Sequence, residues 1–149
     1  MAIAALITWL ITAVGGFTML GMWISRGGHR SPRTSKIPPG LIFGHFGLAA
    51  AGLVLWIIYV ITDSEGLAWI SFIVLLPVAV LGFTMLGRWL PTYRARATVP
   101  AEPTRTTGDG AAGDPPERHF PVAIVAGHGL FAATTLVLVL LTALGVGES

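Results

Sequence analysis

The sequence predicts an all-α integral membrane protein, a four-helix bundle built from two parallel two-helix repeats with both termini on the non-cytoplasmic side. Three observations predict it. Four runs, at about residues 2–24, 41–62, 67–90 and 120–145, are apolar enough to span a bilayer, which takes ~20 residues of helix. All nine basic residues fall in or beside two of the connections between these runs. The motifs of the first half of the chain recur in the second half in the same order. The composition agrees: 54% hydrophobic and 11% charged residues, with a mean hydropathy of +0.78, exclude a water-soluble enzyme of this size.

The first run lacks a basic leading segment, exceeds the apolar length of a signal peptide and carries its basic flank behind it, so it reads as a true span. Arg26, Arg30, Arg33 and Lys36 separate it from the second run. The turn Thr62-Asp63-Ser64-Glu65-Gly66 joins the second run to the third, a length suited to antiparallel neighbours. In the third run Pro77 removes a backbone donor and predicts a kink, whereas the corresponding position of the first run is Ile11. Residues 91–117 are rich in Pro, Gly, Thr and Arg without apolar periodicity, and they read as a flexible cytoplasmic loop. That connection holds or adjoins Arg88, Arg94, Arg96, Arg105 and Arg118. Cationic flanks resist translocation, so both basic connections are expected on the cytoplasmic side. The sequence pI near 9.7 then reports membrane orientation, and no nucleic-acid partner is expected, since the loops lack interleaved aromatic and basic residues. Eight arginines against one lysine suggest a GC-rich coding genome, hence an expected bacterial plasma membrane.

The internal repeat is the most informative feature. Gly16-Phe17-Thr18-Met19-Leu20-Gly21-Met22-Trp23 returns as Gly82-Phe83-Thr84-Met85-Leu86-Gly87-Arg88-Trp89. Gly44-His45, followed by Ala49-Ala50, returns as Gly127-His128, followed by Ala132-Ala133. Pro38 and Pro121 each precede their histidine by seven residues. A parallel repeat implies a pseudo-twofold axis along the membrane normal. His45 and His128 then lie at equal depth and can face each other across the bundle interior.

Two neutral imidazoles on opposite sides of a planar macrocycle are what a six-coordinate haem b needs, one nitrogen from each ring binding the iron. His45 and His128 are therefore the candidate metal ligands. Along their helix faces lie Ala49 and Gly52 after His45, and Ala132 and Thr135 after His128, mostly small residues that leave room for a macrocycle. Gly44 and Gly127 would permit close approach of backbone or porphyrin. The competing account is structural: small residues also pack membrane helices together, and a histidine can bond a neighbouring carbonyl. An ionisable residue within a span nonetheless points to function. The absence of cysteine excludes iron–sulfur clusters, thiolate zinc sites and covalently attached c-type haem. No acid lies within any span, which argues against metal transport.

The GFTMLGxW motif falls at the same depth and can wall the same site. Met19 and Met85 are alternative axial ligands, although membrane methionines more often pack. Thr18 and Thr84 can accept a bond from a ligated imidazole or bond their own i−4 carbonyls. Trp23 and Trp89 are expected at the headgroup level. Arg88 can pair with a haem propionate or with lipid phosphate. His29 and His119 read as solvated loop residues.

With paired histidines on facing helices of a four-span bundle, the chain resembles b-type cytochrome membrane subunits of respiratory chains. The resemblance covers the architecture and the paired Gly-His positions. It implies one bis-His haem carrying electrons between a quinone or dehydrogenase partner and another redox protein, with possible partners among respiratory-complex subunits. Six-coordination favours electron transfer over catalysis at the iron. Two alternatives stay open: a cofactor-free accessory or assembly subunit of a larger complex, and a small-molecule carrier or channel between the repeats.

Overall fold

The computed structural model describes residues 1–30, 35–98 and 115–146, with backbone alone over 96–98. Four α-helices and one 3₁₀ turn make up this part of the chain: α1 (Ala2–Ser25), α2 (Pro39–Thr62), α3 (Glu65–Thr98), η1 (Pro116–His119) and α4 (Val122–Ala143). All four α-helices are long and apolar enough to cross a membrane.

Their ends follow from local chemistry. Pro39 opens α2 at a position where a missing N–H costs nothing. Extended Pro121 sets the start of α4. α1 closes on Gly27 at φ 76°, whose N–H reaches the Ile24 carbonyl while Gly28 N–H reaches Trp23. α4 closes the same way on Gly145 at φ 73°, with bonds from Gly145 to Thr142 and from Val146 to Leu141. These are Schellman caps, and only a residue without Cβ takes the left-handed position readily.

α1 packs mainly along α4 and α2 mainly along α3, while α3–α4 and α1–α2 contacts close the ring. Each helix of one sequence repeat thus takes its principal partner from the other. The diagonal pairs α1/α3 and α2/α4 have no Cα atoms within 8 Å among the described residues. The tight Asp63-Ser64 connection gives the α2–α3 pairing its antiparallel form, as its length implies.

Two clusters of large side chains fill the ring at different levels. Towards the Asp63 end, Ala5, Trp9, Trp56, Tyr59, Leu75 and Val139 form the first. Towards the basic end, Trp23, Ile37, Trp89 and Phe120 form the second. Between membrane helices these aromatic side chains stabilise the fold through close van der Waals packing. Trp23 and Trp89 are 0% and 6% exposed, so their indoles turn into the bundle and not outward as surface anchors would. Their indole N–H groups are satisfied inside the protein, Trp23 donating to Ser35 Oγ at 3.1 Å and Trp89 to the Glu117 carbonyl at 3.1 Å.

The basic connection after α3 also differs from the expected loop of 91–117. α3 continues through Pro91 to Thr98, and η1 occupies Pro116–His119. A proline removes only the one bond to the carbonyl four residues back, and the helix stays continuous through both Pro77 and Pro91. Residues 99–114, with Arg105, and Arg33 in the first connection lie outside the described residues.

Candidate functional site

Between the two tryptophan clusters lies a layer of small residues and two histidines. His45 on α2 and His128 on α4 sit on diagonally opposed helices, their ring centroids 6.3 Å apart and their planes inclined by 53°. Placing both rings inside the bundle requires the two helices to share one rotational setting, since a shift of one residue turns a side chain by about 100°.

Each ring is held by a carbonyl of the helix packed beside it. His45 Nδ1 lies 3.0 Å from the Val78 carbonyl of α3. His128 Nδ1 lies 2.9 Å from the Thr12 carbonyl of α1. Thr12 and Val78 occupy the same place in the repeat, four residues before Gly16 and Gly82. A carbonyl oxygen has no proton to give, so Nδ1 donates in both bonds and the neutral ring keeps its lone pair on Nε2. Among the described residues neither Nε2 has a hydrogen-bond partner.

Glycines of the GFTMLGxW motif make the space for these rings. A Cβ on Gly16 would stand 3.2 Å from His128 Cε1, and one on Gly15 would stand 3.3 Å from His128 Cβ. On the other side, a Cβ on Gly82 would stand 3.3 Å from His45 Cε1. The repeated motif therefore supplies a notch on α1 for the histidine of α4, and one on α3 for the histidine of α2.

The remaining candidates divide by level. Gly44 and Gly127 face open space, with nothing within 4 Å of an added Cβ, so the close approach expected of them is made by Gly15, Gly16 and Gly82 instead. Ala49 packs at the edge of the Trp9–Trp56 cluster, and Ala132 is half-buried. Gly52 lies under Trp9, whose ring comes within 3.1 Å of an added Cβ. Its counterpart Thr135 is buried, its hydroxyl 2.9 Å from Thr8 Oγ1 and 2.8 Å from the Phe131 carbonyl. Gly52 and Thr135 thus belong to the packing below the histidines. Met19 and Met85 pack against the second tryptophan cluster. Thr18 and Thr84 each donate to their own i−4 carbonyl at 2.8 Å, leaving the imidazoles to Thr12 and Val78. Arg88 is exposed and donates to the Lys36 carbonyl at 3.3 Å. His29 and His119 are exposed, with the His29 ring 6.5 Å from Trp23.

Sequence reasoning missed two features. The carbonyls of Thr12 and Val78 carry no side-chain signature, although their fixed distance from the repeated glycines could have singled them out. Glu117, read as part of a loop, is fully buried. Its carboxylate accepts from the Lys36 backbone N–H and from Ser35 Oγ at 3.2 Å, joining the two basic connections.

Among the described residues no group of three or more His, Cys, Asp or Glu side chains comes together. The two imidazoles are thus the nitrogen donors the layer offers. No protein family, curated protein or solved structure matches the chain.

Proposed function

We propose that the chain is a membrane b-type cytochrome whose single haem is held by His45 and His128 and passes electrons between a quinone or dehydrogenase and another redox protein. The observation that carries this reading is the pair of rings, 6.3 Å between centroids, each with an Nε2 that has no hydrogen-bond partner among the described residues. A metal held between two imidazole nitrogens by bonds of about 2 Å separates the ring centres by roughly 6–6.5 Å. The carbonyls of Thr12 and Val78 fix the tautomer that presents Nε2, the usual support for a ligating histidine. His45 and His128 would hold the haem, with the glycines of α1 and α3 packed beside their rings. A bound haem would supply one-electron exchange between ferric and ferrous iron. The protein would contribute two neutral ligands, a surrounding of apolar side chains that excludes water, and aromatic clusters on both sides of the layer.

In this reading the two halves are parallel repeats, the basic end faces the cytoplasm of a bacterium, and both termini face away from it. Membrane redox subunits and quinone are the proposed partners. A second reading rests on the same hydrogen bonds: the histidines pin α2 to α3 and α4 to α1, a cofactor-free arrangement suited to an accessory subunit.

A reduced-minus-oxidised spectrum of detergent-purified protein, expressed with ample haem, separates the two. Sharp α and β bands in the wild type, lost or turned high-spin in both His45→Ala and His128→Ala, are the expected result. A colourless wild type that remains folded after haem addition would overturn the cytochrome reading and favour the accessory one.

A further inference from the structure

We propose that the two histidines are unequal ligands, His128 fixed and His45 releasable, so that a small uncharged π-acceptor of the carbon monoxide class binds in the place His45 leaves. This inequality rests on the haem reading above. Corresponding positions of the two halves differ at three points around the rings. His128 lies against two glycines of α1: an added Cβ on Gly15 would stand 3.3 Å from His128 Cβ and 3.8 Å from its Cα, and one on Gly16 would stand 3.2 Å from Cε1. The histidine is thus gripped at its root and at its ring. His45 meets one glycine of α3, Gly82, whose added Cβ would stand 3.3 Å from Cε1 and 3.8 Å from Nδ1, both ring atoms. The place of Gly15 is taken there by half-buried Leu81.

The second difference lies two helical turns from the rings. The hydroxyls of Thr135 and Thr8 stand 2.9 Å apart and tie α4 to α1. Their counterparts are Gly52 and Val74, whose meeting is apolar, with Val74 Cγ1 3.4 Å from an added Cβ on Gly52. The third difference is in the backbone that holds each ring. Val78, whose carbonyl bonds His45, directly follows Pro77 within α3. Pro77 has no N–H for the Ile73 carbonyl, so the turn of α3 leading into Val78 lacks one of its bonds. Ile11, before Thr12 in α1, keeps that donor. All three differences act in one direction, because local opening follows the weaker contacts: α2 and α3 part around His45 with less loss than α1 and α4 around His128. Apolar and aromatic clusters on both sides of the layer exclude a charged or strongly hydrated ligand, which would lose its water there without compensation. In the exchange the bond from His45 Nε2 to iron breaks and the carbon of carbon monoxide bonds the ferrous iron, while no electron or proton is transferred. Steric access at an axial position decides whether a haem site takes such a ligand.

Absorption spectroscopy of the reduced, detergent-purified full chain under carbon monoxide tests this. The wild type should pass from the bis-His to the carbon monoxide spectrum, and His45→Ala should give that same spectrum, since His128 stays opposite the gas in both. Pro77→Ile combined with Leu81→Gly writes the residues of the first half around His45 and should slow the exchange by about tenfold. Amide hydrogen exchange on the haem-free wild type needs no variant: residues 78–82 should exchange faster than residues 12–16. A red, six-coordinate protein that takes up no carbon monoxide would overturn the inequality and leave the cytochrome reading standing. Equal amide exchange in the two segments, an unchanged rate in the double variant, or a wild-type spectrum shared with His128→Ala in place of His45→Ala would do the same. A colourless protein that remains folded after haem addition would overturn both.

Discussion

An imidazole inside a membrane helix has two nitrogens to place, and hydrocarbon offers neither a donor nor an acceptor. In His45 and His128 one nitrogen is placed by a carbonyl of the adjacent helix, a bond worth about 0.6 kcal/mol within a membrane. The other has no hydrogen-bond partner among the described residues, and this asymmetry gives the pair its chemical character. The rings fit because Gly16 and Gly82 lie against them. Gly16→Leu and Gly82→Leu should therefore each destabilise the protein by about 1–3 kcal/mol through overpacking, seen as a lower Tm in detergent. Gly44→Ala, facing open space, should leave the Tm unchanged or slightly raised. Equal effects at all three positions would contradict the assigned notch. The Gly-His repeats made the histidines legible in the sequence. Which glycines served them was not, because a glycine one residue from His45 and a glycine distant in the chain look alike until the helices are packed.

At the level of elements, the helix ends follow local rules, while the connections are held by tertiary bonds. Gly27 and Gly145 stop α1 and α4 by adopting positive φ. The segments before α2 and α4 are joined by one side chain. Glu117 accepts from Lys36 N–H and Ser35 Oγ, while Ser35 Oγ also accepts from Trp23 and Trp89 donates to the Glu117 carbonyl. Glu117→Ala should leave buried donors unpaired and lower stability by about 1–3 kcal/mol. Glu117→Gln keeps an acceptor and should lose less than half of that. Thermal unfolding of the two variants checks the order, and an alanine variant as stable as wild type would remove Glu117 from this role. A residue in a Pro- and Gly-rich stretch gave no sign of burial, because its partners lie about eighty positions away.

For the whole molecule, the charge distribution and the ring of helices make one prediction about orientation. Cationic connections at one end should remain in the cytoplasm. An alkaline phosphatase fusion at the C-terminus should be active, and a green fluorescent protein fusion there dark; the reverse would invert the proposed topology. The ring also interlocks the halves. α1 runs mainly with α4 and α2 with α3, so each histidine is held by a helix of the other half. Neither two-helix unit contains a complete histidine layer, since the notch and the ring it receives are separated in sequence.

The sequence by itself determined the four apolar helices, their approximate limits, the clustering of positive charge at one end and the two histidines worth examining. These properties depend on local composition and on periodicity, both of which can be read along a single strand of text. Tertiary structure alone decided that the rings meet 6.3 Å apart, that Thr12 and Val78 carbonyls hold them and that Trp23 and Trp89 turn inward. The physical reason is rotational: hydropathy sets how deep a residue lies in the bilayer, but side-chain packing between neighbouring helices sets which way it points.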